Sequence, residues 1–190
     1  LADLLEISRF DAGAASLELD RVDLHALVSA SIERAEPLAR RQEVPVRLDA
    51  DPGECLVECD ARRVDRIVRN LLENAIEHGN SWGVDVTLAA DESSACIAVR
   101  DYGVGLRPGE ASLVFNRFWR ADPARARTTG GTGLGLAIAL EDARLHRGWL
   151  EAWGRPGLGA SFRLTLPRDR HHDIGDPVLP LVPDDDGDPA

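Results

Sequence analysis

Between Asp60 and Gly79 the chain carries its most regular pattern: Val64, Ile67, Val68, Leu71, Leu72, Ala75 and Ile76 recur at the spacing of one helix face. Asp60 offers an N-cap and Gly79 a stop, so the pattern predicts a long amphipathic helix with one buried side. Such a helix needs an apolar surface to lie on. Directly after it, "VDVTLAA" and "ACIAVRD" alternate around the turn-like "DESS", which predicts an antiparallel hairpin. "VPVRLDA" reads as another strand with "CLVEC" a possible partner, and "WLEAW" and "SFRLTLP" flank the turn "GRPGLG". Helices interspersed with strands place the chain in the α/β class.

The remaining segments fit around that centre. Asp23 could cap a helix whose stripe is Leu24, Leu27, Val28, Ile32, Ala35 and Leu38. "LADLLEISRFDAG" sets Leu1, Leu4, Leu5 and Ile7 at helical spacing with no start signal, as if the chain begins inside a helix that ends at Gly13. Residues 14–21 then read as a linker. The last twenty or so residues are rich in Pro and Asp, a composition that predicts disorder from residue 168 onward.

Composition narrows the function. The net charge of -11 over 190 residues argues against a general nucleic-acid binder, although Asp169 to Asp188 holds seven aspartates against one arginine and so exaggerates the acidity. Cys55, Cys59 and Cys96 form no CxxC pair, which predicts reduced cytosolic thiols rather than a zinc site. No apolar run reaches membrane-spanning length, so no membrane contact is expected of this stretch.

"RTTGGTGLGLAIALEDARLHRG" puts bare backbone at a helix start, the usual preparation for an anion. It is not a P-loop, because that motif needs a lysine and every basic residue among the 22 Lys+Arg is arginine. Nor is it a dinucleotide fingerprint, since "RADPARARTT" upstream reads as loop instead of buried strand.

Four segments in order decide between the remaining readings. Asn70 and Asn74 lie one turn apart on a helix, "DYGVGL" follows a strand, "VFNRFWR" sits in a long loop, and "GGTGLGL" opens the next helix. They resemble the N, G1, F and G2 boxes of the histidine-kinase catalytic and ATP-binding domain, the GHKL or Bergerat fold, over residues 22–167. "RDYGVGLRPGE", "VFNRFWRADPAR" and "EDARLHRGWLEAWG" look further like the actinobacterial MtrB-type sensor kinases.

The resemblance implies a two-layer α/β sandwich, a mixed sheet with helices on one face and a mobile lid over ATP. It implies that Asn74 holds Mg²⁺ through its amide oxygen, a fitting ligand for a hard cation that keeps most of its waters. Asn70 then supports the phosphates or Asn74, and as an amide it cannot act as the general base of the superfamily's ATPases. Asp101 would accept from the adenine amine, with Gly103 and Gly105 keeping backbone clear of the ring. Gly131, Thr132, Gly133, Leu134 and Gly135 would form the hinge over the triphosphate, Leu134 and Leu136 anchoring the helix behind it. Arg117 is the expected phosphate-facing cation, ahead of Arg120, Arg125 and Arg127. Phe115 and Phe118 would pack the lid. His78 matches a nucleotide-facing position, whereas Glu77 replaces a basic residue of the family.

No histidine here, His25 included, stands in the H-E-x-x-x-P setting of a phosphoacceptor. Residues 1–13 resemble the end of the dimerisation helix pair, so the chain is expected to be a fragment that cannot phosphorylate itself. The implied partners are the phosphoacceptor helix of the same kinase or its dimer mate and a response regulator of the MtrA kind. The implied setting is the cytoplasm, with the full-length kinase anchored in the cell membrane. A GHKL ATPase or anti-sigma-type serine kinase, and a degenerate nucleotide-binding scaffold, are the alternatives.

Overall fold

A helix with the expected face occupies Ala61–His78 (α3 in chain order), and all seven apolar positions read from the sequence are buried. In the computed structural model, which describes residues 2–51, 54–79, 82–120, 132–171 and 173–183, Asp60 caps it by accepting from the backbone N–H groups of Arg62 and Arg63 at 3.1 and 3.3 Å. Each large aliphatic side chain on that face contributes about 1.5–3 kcal/mol by leaving water, which makes α3 the spine of the core. Beside it lies α2 (Leu24–Gln42), where Asp23 accepts from His25 N at 3.0 Å and Leu24 and Val28 are fully buried. Among the described residues, α1 (Ala2–Asp11) and α5 (Gly135–Leu145) complete the helices, with a single turn α4 at Glu110–Leu113.

Five strands form the sheet beneath: β2 (Val46–Ala50), β4 (Val84–Ala90), β5 (Ser94–Asp101), β7 (Gly159–Pro167) and β6 (Trp149–Arg155), in that spatial order. β2 runs parallel to β4 because the chain between them crosses over through α3; every other pairing is antiparallel. Val86, Ile97, Val99, Phe162 and Leu164 point to the helices and join α2 and α3 in one apolar cluster. The result is the mixed, helix-covered sheet expected from the sequence.

One pairing differs. β3 (Leu56–Cys59) was expected beside 46–50, but it pairs antiparallel with β1 (Asp20–Asp23), Val22 opposite Val57, as a separate two-stranded sheet. β1 holds a single apolar residue and therefore offered no alternation to read. Its partner buries Val57 and Cys59. All three cysteines are buried and free, and burial pushes the Cys59 thiol up to about 12, so it is no nucleophile.

The second face of the sheet is not left to water. Alternation turns Cys96, Arg163 and Thr165 away from the helices, yet each is buried. The segment after β7 accounts for part of this: Leu179 offers its carbonyl to Arg163 Nη1 at 2.6 Å, Arg170 pairs with Glu58 and Asp173 with Arg147. Residues 173–183 have neither helix nor strand, and a composition-based expectation of disorder does not capture these contacts.

Candidate active site

α3 presents Asn70, Asn74 and His78 at its C-terminal half, a turn apart. The Asn70 amide donates to the Gly135 carbonyl at 3.0 Å, which ties α3 to the first turn of α5. Asn74 donates to the Asn70 carbonyl at 2.8 Å. Its amide nitrogen is thereby satisfied by the helix, while among the described residues nothing donates to its oxygen. An amide held this way offers one fixed acceptor, the kind of ligand a hard cation takes.

At the end of β5, Asp101 is buried, and burial pushes its carboxyl above the ordinary range. Backbone N–H groups of Gly103 at 2.9 Å and Ala160 at 3.3 Å, with the charges of Arg100 and His78, act against that shift. Both N–H groups converge on Oδ1. Among the described residues none donates to Oδ2, which leaves one carboxylate oxygen for an amine. The glycines that follow have a nearer purpose than clearing a ring. A methyl on Gly103 would overlap the carbonyl of His78, and one on Gly105, at φ 71°, would overlap the carbonyl of Arg155. The loop is thus pressed between the end of α3 and the β6–β7 turn.

The base of the second glycine loop closes the other side. Gly133, at φ 69°, accepts from Phe118 N at 2.9 Å, and a Cβ there would meet the Phe118 backbone at 3.0 Å. Thr132 Oγ1 accepts from Leu134 N at 3.3 Å. Leu134 is buried against Ile7 and Ile138, as expected of an anchor, and supplies no side-chain cap to α5. Gly131, Arg125 and Arg127 lie outside the described residues.

The intervening segment divides its aromatics. Phe115 packs edge-to-face on Phe162, with ring centres 6.2 Å apart, whereas Phe118 is 64% exposed at a left-handed φ of 63°. A bulky residue in that conformation is strained and is held by the Gly133 contact beside it. Arg117 forms a two-pronged ion pair with Asp11 of α1 at 2.9 and 2.5 Å. Arg120 lies near Glu77, whose carboxyl burial pushes up and Arg120 pulls down.

Two groups escaped the sequence reading. Asp142, fully buried on α5, accepts from Arg63 at 2.8 Å and from Arg66 Nε at 2.8 Å, with Glu6 of α1 3.6–3.7 Å from both guanidiniums. An aspartate on the apolar face of a helix was the available signal. Arg100, beside Asp101, is also buried, and nothing in an alternating strand announces that.

Thus α3 is tied to the start of α5 through Asn70, the loop after β5 abuts the end of α3 at Gly103, and the aromatic segment meets the second glycine loop at Gly133. Residues 59–170 match the sequence profile of the family described as histidine kinase-, DNA gyrase B- and HSP90-like ATPase. The chain belongs to this family. Within it, the chain is 54% identical over 183 residues to the sensor histidine kinase MtrB of Mycobacterium leprae, covering 96% of this chain and 33% of that protein. It is 42% identical over 167 residues to the signal transduction histidine-protein kinase AfsQ2 of Streptomyces coelicolor, covering 88% and 30%. The chain therefore spans about one third of the length of these curated relatives. Among solved structures of the family, full-length ShkA in complex with AMPPNP superposes with a TM-score of 0.77 at 27% identity, covering 87% of this chain and 34% of that one. The mycobacterial sensor histidine kinase MprB gives 0.67 at 29% identity, covering 78% and 97%.

Proposed function

We propose that this chain is the ATP-binding catalytic part of a two-component sensor histidine kinase, passing the γ-phosphoryl group of ATP to a histidine of the dimerisation domain. Support comes above all from the Asn70–Gly135 hydrogen bond, which joins the amide-bearing helix directly to the glycine-led helix start. Asp101 Oδ2 accepts the adenine amine. The N-terminal N–H groups of α5 and the backbone around Gly133 receive the phosphates, and Gly131 extends that loop. His78, whose carbonyl lies against the Gly103 backbone, borders the nucleoside.

Asn74 Oδ1 is a suitable ligand for Mg²⁺, since its amide nitrogen is already engaged by Asn70. The bound ion supplies charge neutralisation between phosphates. Asn70 lacks the basicity to activate water, which favours transfer over hydrolysis. Arg117 steadies the γ-phosphoryl charge once it leaves Asp11. Residues 1–13 belong to the dimerisation helix, 14–21 to a linker and 22–167 to the catalytic domain, with 168–190 as an acidic extension. The acceptor histidine lies on the same kinase or its dimer mate. A response regulator, of the MtrA kind given the likeness to MtrB, takes the phosphoryl group onward. No described helix is long and apolar enough to cross a membrane, and the proposed setting is the cytoplasmic side of a membrane-anchored kinase.

Calorimetric titration with a non-hydrolysable ATP analogue, with and without Mg²⁺, tests the site. Asn74→Ala is expected to abolish the metal-dependent part of the affinity, and undiminished metal dependence would remove the ligand assignment. Incubation with labelled ATP and an acceptor-domain fragment tests the reaction: label on the acceptor is expected, and self-labelling of the isolated chain refutes it.

A further inference from the structure

Arg100 is 9% exposed and, by strand alternation, lies on the face of the sheet opposite Asp101. Its guanidinium carbon sits 5.1 Å from the Tyr102 ring centre and 4.9 Å from that of Trp153, a cation between two aromatic faces. Its Nη2 donates to the Leu158 carbonyl at 2.6 Å. Nε and Nη1 are buried without a hydrogen-bond partner, and among the described residues no carboxylate lies within ion-pair distance. The acid directly across the ladder, Asp85, is engaged by the Tyr102 hydroxyl at 2.7 Å and by Arg47 at 3.6 Å. An arginine in this condition is an expensive way to fill space, because a leucine would pack there without buried unpaired donors. Its cost points to the carbonyl it holds.

That carbonyl belongs to the turn between β6 and β7. Leu158 N donates to Arg155 O at 3.0 Å and Gly157 N to Val104 O at 2.9 Å, so the turn is stitched both to itself and to the glycine loop after β5. Gly159, at φ 80°, presses so close that a methyl would overlap the Asp101 carbonyl. The next residue is Ala160, whose N–H reaches Asp101 Oδ1 at 3.3 Å, a long bond that small movement would break. Arg100 therefore grips the turn two residues before the donor that keeps Asp101 oriented.

We propose that Arg100 is a positioning residue for purine recognition: by fixing Leu158 it holds Ala160 N–H on Asp101 Oδ1, so that Oδ2 alone faces the exocyclic amine of the nucleotide. The proposal rests on the reading of Asp101 as the adenine acceptor. Arg100 touches no nucleotide atom. It acts through the turn, and its loss selectively costs recognition of the amine.

The experiment compares two probes, ATP and purine riboside triphosphate, which lacks the amine, by calorimetry with saturating Mg²⁺ on the 190-residue chain. Wild type is expected to prefer ATP. Arg100→Met is expected to weaken ATP roughly fivefold, about the worth of one net hydrogen bond, and to leave the amine-free probe unchanged. Arg100→Lys, which restores a donor but not the planar fork, is expected to recover part of the preference. Equal weakening for both probes, or an undiminished preference for ATP, overturns the proposal. If circular dichroism shows Arg100→Met unfolded, Trp153→Leu, which removes one stacking face, is expected to lower the preference in the same direction, and no change there overturns it. A wild-type chain that binds neither probe, or binds both equally, instead overturns the reading of Asp101 beneath it.

Discussion

Asn70 and Gly135 are 65 residues apart in the chain and joined by a 3.0 Å hydrogen bond from side-chain amide to backbone carbonyl. Gly135 also leaves room for that amide: a Cβ there would stand 2.9 Å from Asn70 Oδ1. Gly135→Ala should therefore separate stability from binding. Gly135 is the first residue of α5, where alanine gains only part of the roughly 0.8–1 kcal/mol it holds over glycine in a helix interior, and the displaced group is the tip of a flexible side chain. Thermal unfolding is expected to shift little or upward, while affinity for an ATP analogue falls roughly fivefold as Asn70 loses its position. Parallel melting and calorimetry check this.

His146 accepts from Asp60 N at 3.0 Å through Nε2, so its Nδ1 carries the proton and donates to Asp142 O at 2.7 Å. Burial holds its pKa below the ordinary 6.5. Protonation would break the Nε2 bond, and the unfolded chain takes up that proton first. The stability that His146 contributes is thus complete above pH 6.5 and lost as pH falls from there through the lowered native value. Urea unfolding from pH 8 to 5 should show the wild type losing more stability on acidification than His146→Asn.

Asp142 holds Arg63 and Arg66 at zero exposure. Removing it leaves the Arg63 and Arg66 side chains, 14% and 21% exposed, with no carboxylate nearer than Glu6 and Asp60 at 3.6–3.7 Å. Asp142→Ala is expected to cost about 3–5 kcal/mol in urea unfolding, the range for breaking a buried pair.

Arg117 and Asp11 are exposed, so their ion pair is screened and carries little stability. Arg117→Ala is expected to leave the unfolding curve unchanged and to slow phosphoryl transfer to an acceptor fragment markedly. Asp11→Ala frees the arginine and should not slow it. Labelled-ATP time courses check both variants.

Local patterns carried most of the architecture. The seven-position stripe of α3, the Asp60 and Asp23 caps and the hairpin around "DESS" depend on neighbours within a few residues, and each was legible. β1 was not, because a four-residue strand with one apolar side chain has no period. Within the site, the order of Asn70, Asp101, Gly133 and Gly135 could be read, but not that Asn70 reaches Gly135 or that Gly103 abuts His78. Asp142 and Arg100 stayed hidden for the same reason: their partners lie 76 and 58 residues away, and a charge buried by distant segments looks identical to a solvated one.

The family profile stops at residue 170, while Arg163 finds its carbonyl at Leu179. A chain trimmed at the edge of that profile would keep Asn70, Asp101 and both glycine loops and still leave a guanidinium of the sheet's rear surface stripped of its cover. Where the family profile ends and where the contacts of the fold end are, in this protein, two different places.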